Sequence, residues 1–279
     1  MEIASFGETM IRLAPPVGFS LEGAQTLEVS IGGTESNLCI AYARLGGKCG
    51  WTSRMPDNAA SRLVVNAIAV HGVDVSNVIW APGEKLGILF VESGVSPRQT
   101  EVIYDRADMA IARLRPDELD YDYLLSAETL FLTGNTPALS SSCRETWLRA
   151  ARLAHERKRT VVLDVNYRGK LWTPQQCRET IEAVLPHVDV LICGRTDARI
   201  IFDMPEEGEA AAKAFMARYK VPLVVMTLGE HGSLAYDGQH VEQYPVFPTE
   251  IIDRIGAGDA FDAGFLYGWR KKDIAYGLR

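Results

Sequence analysis

The 279-residue chain has no cysteine pair in CxxC spacing and no two histidines at i,i+4. Its five cysteines, Cys39, Cys49, Cys143, Cys177 and Cys193, are scattered and odd in number. That pattern argues against structural zinc and a disulfide framework, and it fits a reducing cytoplasm. No lysine–arginine run of the kind that tracks a nucleic-acid backbone occurs, and the net charge is −7, so no nucleic-acid partner is expected. No segment is apolar for long enough to span a bilayer, and the N-terminus lacks a basic region followed by an apolar stretch. No membrane association is expected. A GxxxxGK[ST] phosphate loop is absent. The nearest approach to GxGxxG, Gly256-Ala257-Gly258, continues as Asp259-Ala260-Phe261 and lies at the wrong end for a Rossmann first turn.

What remains is a chain 47% apolar, enough for one sizeable α/β core. Apolar strand candidates at 129–133, 160–165, 188–193 and 223–227 alternate with helical patterns at 141–158, 173–185 and 205–219. Such alternation predicts a parallel sheet covered on both faces. Nearer the N-terminus, 34–45 reads as a helix closed by Gly46-Gly47. A second helix is expected at 57–71, capped by Asp57 and stopped at Gly72. The runs 75–80, 87–92 and 100–104, with a turn at 93–98, look like short antiparallel strands that would fit a lid over the main sheet.

Two segments carry candidate chemistry. In Gly256-Ala257-Gly258-Asp259, a small-residue turn opens a helix marked by Phe261, Phe265 and Trp269. Free N–H groups at such a turn suit an anion. Asp259 behind them suits proton abstraction from a hydroxyl aimed at a phosphoryl group. An ordinary first-turn acid on the helix dipole is the competing reading. In the second segment, Gly32-Gly33-Thr34-Glu35-Ser36-Asn37, the paired glycines, Gly33 among them, suit a hinge or a close backbone-to-ligand approach, and Asn37 is placed to reach back from the first turn to a hydroxyl. Taken alone, the segment reads more readily as a loop-to-helix junction with Asn37 as a local cap.

Taken together, GGTESN near the start and DRIGAGDAFDAGF near the end resemble the two signature segments of the PfkB (ribokinase-like) carbohydrate kinases, and the likeness runs over essentially the whole chain. The resemblance implies one three-layer α/β/α domain over 1–279, with a mostly parallel central sheet. It also implies a small antiparallel β lid built from about 10–32 and 84–106, which pairs between subunits as a homodimer. Asp259 would be the base, and Gly256, Ala257 and Gly258 would offer N–H groups to the transferring phosphate. The cofactors implied are ATP and Mg²⁺, with a monovalent cation left open. The turn after 223–227 lies along ATP in this family, which makes Thr227, Gly229 and Gly232 nucleotide candidates. Read alone, that turn is a glycine-rich link between two strands.

Three further runs, VIYDR at 102–106, TGNTPAL at 133–139 and LDVNYR at 163–168, resemble the 2-keto-3-deoxygluconate kinase branch. There the matching tyrosine and arginines, here Tyr104, Arg106 and Arg168, hold a sugar acid's carboxylate and keto end. Arginine forks a carboxylate, whereas a neutral sugar needs only hydroxyl partners. The reaction implied is phosphorylation of the primary hydroxyl of a sugar acid, giving the 6-phosphate of 2-keto-3-deoxygluconate. A kinase for a neutral sugar or nucleoside, or a homologue that binds without turnover, is the alternative. The chain departs from the family on the nucleotide side. Gly194-Arg195-Thr196-Asp197 stands where Asn-x-x-Glu organises Mg²⁺, which leaves Asp197 as the candidate metal residue. Asp108-Met109 replaces the usual Gly-Ser, and the chain ends at Arg279, before the helical segment that flanks the adenine.

Overall fold

A computed structural model describes residues 1–94, 100–249 and 255–279. In chain order the first half runs β1 (Ile3–Phe6), β2 (Met10–Ala14), β3 (Glu28–Gly32), α1 (Thr34–Arg44), β4 (Cys49–Thr52), β5 (Arg54–Pro56), α2 (Ala59–Ala69), β6 (Ile79–Ala81), β7 (Ile88–Glu92) and β8 (Glu101–Asp105). After a one-turn α3 (Tyr121–Leu124) come β9 (Thr129–Thr133), α4 (Ser141–Glu156), β10 (Thr160–Asp164), α5 (Pro174–Val184), β11 (Val190–Gly194), α6 (Arg195–Phe202) and α7 (Gly208–Tyr219). The chain finishes with β12 (Leu223–Thr227), β13 (Ser233–Tyr236), β14 (Val241–Tyr244), α8 (Ala257–Lys271) and α9 (Ile274–Leu278).

Eight strands form the main sheet in the order β14-β13-β12-β11-β10-β9-β1-β4. From β12 to β4 every pairing is parallel, and the hairpin β13–β14 closes one edge in antiparallel fashion. Because side chains alternate along a strand, β9 sends Leu130 and Leu132 to one face and Phe131 to the other. The first face meets Trp147, Ala150, Ala151 and Ala154 of α4, as the helical spacing in the sequence predicts. The second packs against Leu38 and Tyr42 of α1, Val64 and Ile68 of α2, and Phe265 of α8. Helices on both faces make the three layers expected of a parallel sheet. On α8, Phe261, Phe265 and Trp269 stack in sequence with ring centroids 6.3 and 6.1 Å apart.

A separate four-stranded sheet, β3-β2-β7-β8, stands apart from the main one. It is antiparallel at β2–β3 and β7–β8 but parallel at β2–β7, because residues 33–87 cross between the two hairpins. Two local expectations are corrected. The run 75–80 does not join this sheet; its end, in β6, pairs parallel with β5 beside the main sheet. Helix α2 is capped by Asn58, whose Oδ1 accepts from the Ser61 N–H at 2.9 Å, while Asp57 pairs with Arg62. The turn expected at 93–98 lies largely outside the described residues, as do Asp253 and Arg254. Among the described residues, no helix is long and apolar enough to cross a membrane.

Candidate active site

Parallel strands place their carboxyl ends on one side, and ligands in such folds bind in the crevice there. Each inner strand delivers polar residues to that side: Glu8 after β1, Asn135 after β9, Asn166 and Arg168 after β10, Asp197 after β11, and Thr227 at the end of β12. The amino-terminal ends of α1 and α8 face them. Gly33 opens α1, and a Cβ on it would lie 2.1 Å from the Glu8 carbonyl oxygen, so the two chain segments touch through glycine's missing side chain. Gly256 opens α8 with φ +83, a left-handed conformation that glycine adopts without strain.

Asp259 sits in the first turn of α8 and is 7% exposed. Its Oδ2 accepts from Asn37 Nδ2 at 2.6 Å, which ties together the two segments singled out in the sequence. Burial pushes its pKa above the ordinary carboxylate value, opposed by Asn37, by the Arg168 charge and by Thr34. A carboxylate with a raised pKa is a stronger base, held here beside a helix amino terminus.

Three cavities meet at the Gly256–Asp259 turn. The innermost, about 90 Å³, brings Asp259 together with Gly33, Asn37, Tyr104, Arg106 and Arg168, along with Glu8, Asn135 and Leu89. The next, about 430 Å³, adds Asp197, Thr227 and Gly258 to Arg168 and Asp259. The outermost, about 830 Å³, is mostly apolar, lined by Val246, Phe247, Phe261 and Tyr267, and reached by Thr227, Gly229, Gly232, Ala257 and Gly258. The candidates named from sequence therefore divide along one path: Gly33, Asn37, Tyr104, Arg106 and Arg168 inside, Asp197 midway, and the Thr227–Gly232 turn outside.

The charges inside are arranged unequally. Arg106 Nη2 lies 3.0 Å from Glu8 Oε1 and donates to Asn135 Oδ1 at 3.1 Å, and the Tyr104 ring centroid lies 5.1 Å from its guanidinium carbon. Arg168 is exposed to the cavities, and its guanidinium has no ion-pair or hydrogen-bond partner among the described residues. Its positive charge partly opposes the rise that burial imposes on the pKa values of Glu8, Asp164, Asp197 and Asp259. Glu8 offsets Arg106, so Arg168 is the uncompensated cation facing Asp259.

Behind Asp259 lies a pair of acids. Asp164, at the end of β10, accepts from the Asn166 N–H at 3.1 Å and from Asn166 Nδ2 at 2.8 Å, holding Asn166 at φ +41. Burial raises Asp164 to about 6, and burial together with the neighbouring Asp164 and Asp259 charges raises Asp262, one turn beyond Asp259, well above its usual value. Charge on one of two neighbouring carboxyl groups disfavours charge on the other, so the pair gives up its second proton less readily than a lone carboxyl group would. Asp197 is likewise raised by burial.

Glu8, Asn135, Asp164 and Asp262 were not singled out by spacing. The signal that marks the first three is positional: each stands at or within two residues of a strand's carboxyl end. Asp262 had a weaker signal, an acid three residues after Asp259 on an otherwise apolar helix face.

The pfkB family carbohydrate kinase model matches residues 1–276. The 2-dehydro-3-deoxygalactonokinase of Haloferax volcanii is 41% identical over 265 residues, covering 95% of this chain and 83% of the relative. A 5-dehydro-2-deoxygluconokinase of Clostridium perfringens is 32% identical over 248 residues, covering 85% of this chain and 71% of the relative. The crystal structure of Thermotoga maritima 2-dehydro-3-deoxygluconokinase superposes with a TM-score of 0.94 at 28% identity, covering all of this chain and 89% of the other. The ribokinase-like α/β architecture, the two signature segments and these likenesses agree: the chain belongs to the pfkB family of carbohydrate kinases.

Proposed function

We propose that this kinase transfers the γ-phosphoryl group of ATP to the primary hydroxyl of a keto-deoxy sugar acid, with 2-keto-3-deoxygluconate the first acceptor to try and its galacto epimer the second. The observation that carries this reading is the convergence of Asp259 with Arg168 and Arg106 in one small cavity. A neutral sugar has no need of two arginines, whereas a carboxylate gains a forked partner.

Asp259 takes the proton from the acceptor hydroxyl as its oxygen attacks the γ-phosphorus, and ADP leaves on the opposite side. The N–H groups of Gly256, Ala257 and Gly258 face the charge that grows on the phosphoryl oxygens. Arg168, assisted by Arg106 and Tyr104, holds the acid end away from the base. The nucleotide lies along Thr227, Gly229 and Gly232, its base in the apolar outer cavity. Among the described residues, no three acidic, histidine or cysteine side chains are placed to hold a metal. Asp197 in the middle cavity fits the single-carboxylate role usual for Mg²⁺ that arrives with phosphates and keeps its waters. Mg²⁺ held there would supply charge neutralisation to the phosphates.

The four-stranded sheet carries Tyr104 and leads directly into Arg106, which suits a lid. Its Val29 and Ile103 side chains are 55% and 48% exposed, and we read that face as the seam of a homodimer. A reducing cytoplasm suits the five free, buried cysteines. The test is a coupled ADP-release assay over sugar acids, neutral sugars and nucleosides. Efficient use of a keto-deoxy acid supports the reading, and preference for fructose or ribose overturns it.

A further inference from the structure

Glu8 and Arg106 meet so that one polar atom of each is left without a partner among the described residues. Glu8 is 1% exposed; its Oε1 lies 3.0 Å from Arg106 Nη2 and accepts from Asn135 Nδ2 at 3.2 Å. Its Oε2 is buried and makes no hydrogen bond among the described residues, and the same is true of Arg106 Nε. A buried polar atom left unpaired costs more than a typical hydrogen bond gains, so such atoms are rare unless something else satisfies them. Here an acceptor and a donor are unmet within one ion pair, and both residues line the cavity that holds Asp259.

Glycines make room for the chain around Glu8. Gly33 admits the Glu8 backbone because it has no Cβ, and Gly7 leaves room for Glu35, whose Cδ would lie 2.2 Å from a Cβ at that position. The Asn135 side chain bridges both partners, accepting from Arg106 and donating to Glu8. Apolar residues would have filled the same space at lower desolvation cost.

We propose that Glu8 is a specificity-determining residue: its Oε2 accepts a hydrogen bond from an acceptor hydroxyl, while its Oε1 holds Arg106 with Nε–H turned to the acceptor's anionic end. This rests on reading the inner cavity as the sugar-acid site. Because both unmet atoms belong to one ion pair, the hydroxyl that Glu8 reads lies close to the acid end. The ligand class is therefore a polyhydroxy acid and not a simple keto acid. Glu8 also cancels the charge of Arg106, which leaves Arg168 to supply the net attraction for the carboxylate.

Glu8→Gln keeps the size and leaves an amide oxygen for Arg106 and Asn135, but puts an N–H donor or a neutral oxygen where the hydroxyl needs a charged acceptor. Steady-state kinetics on 2-keto-3-deoxygluconate should show the acceptor KM raised roughly 10- to 150-fold, with kcat and ATP KM within about threefold of wild type. Wild type tested on the monodeoxy analogues should lose a similar factor with one of them, and with that analogue Glu8→Gln should add no further loss. A variant within about threefold of wild type on the parent acid overturns the proposal. So does an equal Glu8→Gln penalty on every analogue, or a wild type indifferent to all of them; the last needs no variant to fold. If wild type uses fructose and no sugar acid, the sugar-acid reading has failed, and the same comparison on monodeoxy fructoses judges Glu8 by itself.

Discussion

Asn37 donates its amide N–H to Oδ2 of Asp259 across 2.6 Å, joining residues 222 positions apart. The bond fixes the carboxylate's direction and favours its charged form. Replacing Asp259 with Asn keeps shape but removes the proton acceptor, so kcat should fall by roughly 10²–10⁴ while ATP still binds. The wild-type rate should rise with pH through the pKa of Asp259, which burial raises from its ordinary value. Asn37→Ala removes a contact that lowers that pKa, so the acid limb of the kcat profile should move to higher pH. A profile that stays in place would mean the bond does not tune the base.

Two glycines should respond differently. A Cβ on Gly258 meets no protein atom within 4 Å, whereas one on Gly33 runs into the Glu8 backbone and the Thr9 side chain. Gly258→Val should therefore leave the melting temperature within a few degrees and cut turnover at least tenfold or so, by blocking the phosphate's approach. Gly33→Ala should lower both. Thermal melts run beside kinetics separate the cases; a Gly258→Val protein that melts as early as Gly33→Ala would make Gly258 structural.

Much of this site was legible because its chemistry is local in sequence. The Gly256–Asp259 turn, Gly33–Asn37 and the arginine runs are short, and short runs keep their meaning without a fold. Four strands of the main sheet and the helices α4, α5 and α7 between them were legible for the same reason, since period and length are local signals; the short α6 was not. Glu8 and Asn135 were not. They lie 127 residues apart and meet because β1 and β9 are parallel neighbours, a pairing that no spacing encodes. Strand β6 was misplaced because a short apolar run fits either sheet until its partner is known. The cap on α2 went to Asn58 over Asp57 because that helix starts at Ala59, and adjacent cap-forming residues do not fix a boundary.

Glu35 offers a stability test that leaves the active site aside. It is wholly buried, with hydroxyls of Thr133 and Thr136 at 2.7 and 2.6 Å, and burial lifts its pKa to about 7. The folded value exceeds the unfolded one, so the fold favours the protonated acid. Its contribution is complete below the unfolded pKa of 4.5 and is lost as pH rises through about 7. Glu35→Gln removes that dependence. Denaturation near pH 5 should give similar stabilities, whereas near pH 8.5 the variant should be the more stable, by up to about 3 kcal/mol. A constant difference across pH would contradict the assignment.

The dimer reading predicts a particular failure. Ile103 is 48% exposed on β8, and β8 is the edge strand that leads to Arg106. Light scattering should give a dimer for wild type and a monomer for Ile103→Asp, with the acceptor KM raised in the monomer as the arginine loses support. A wild-type monomer at micromolar concentration would remove the seam.

The central claim is that an acid is the acceptor, and Arg168 tests it most directly. ADP-release kinetics should compare 2-keto-3-deoxygluconate with fructose for wild type, Arg168→Ala and Arg168→Lys. Losing a forked arginine–carboxylate contact should lower kcat/KM for the acid roughly 10- to 150-fold, and lysine should restore part of it. Use of fructose, already poor, should hardly change, and ATP KM should stay near wild type. A wild type that uses fructose as efficiently as the acid, or an Arg168→Ala variant that loses both equally, would contradict the account.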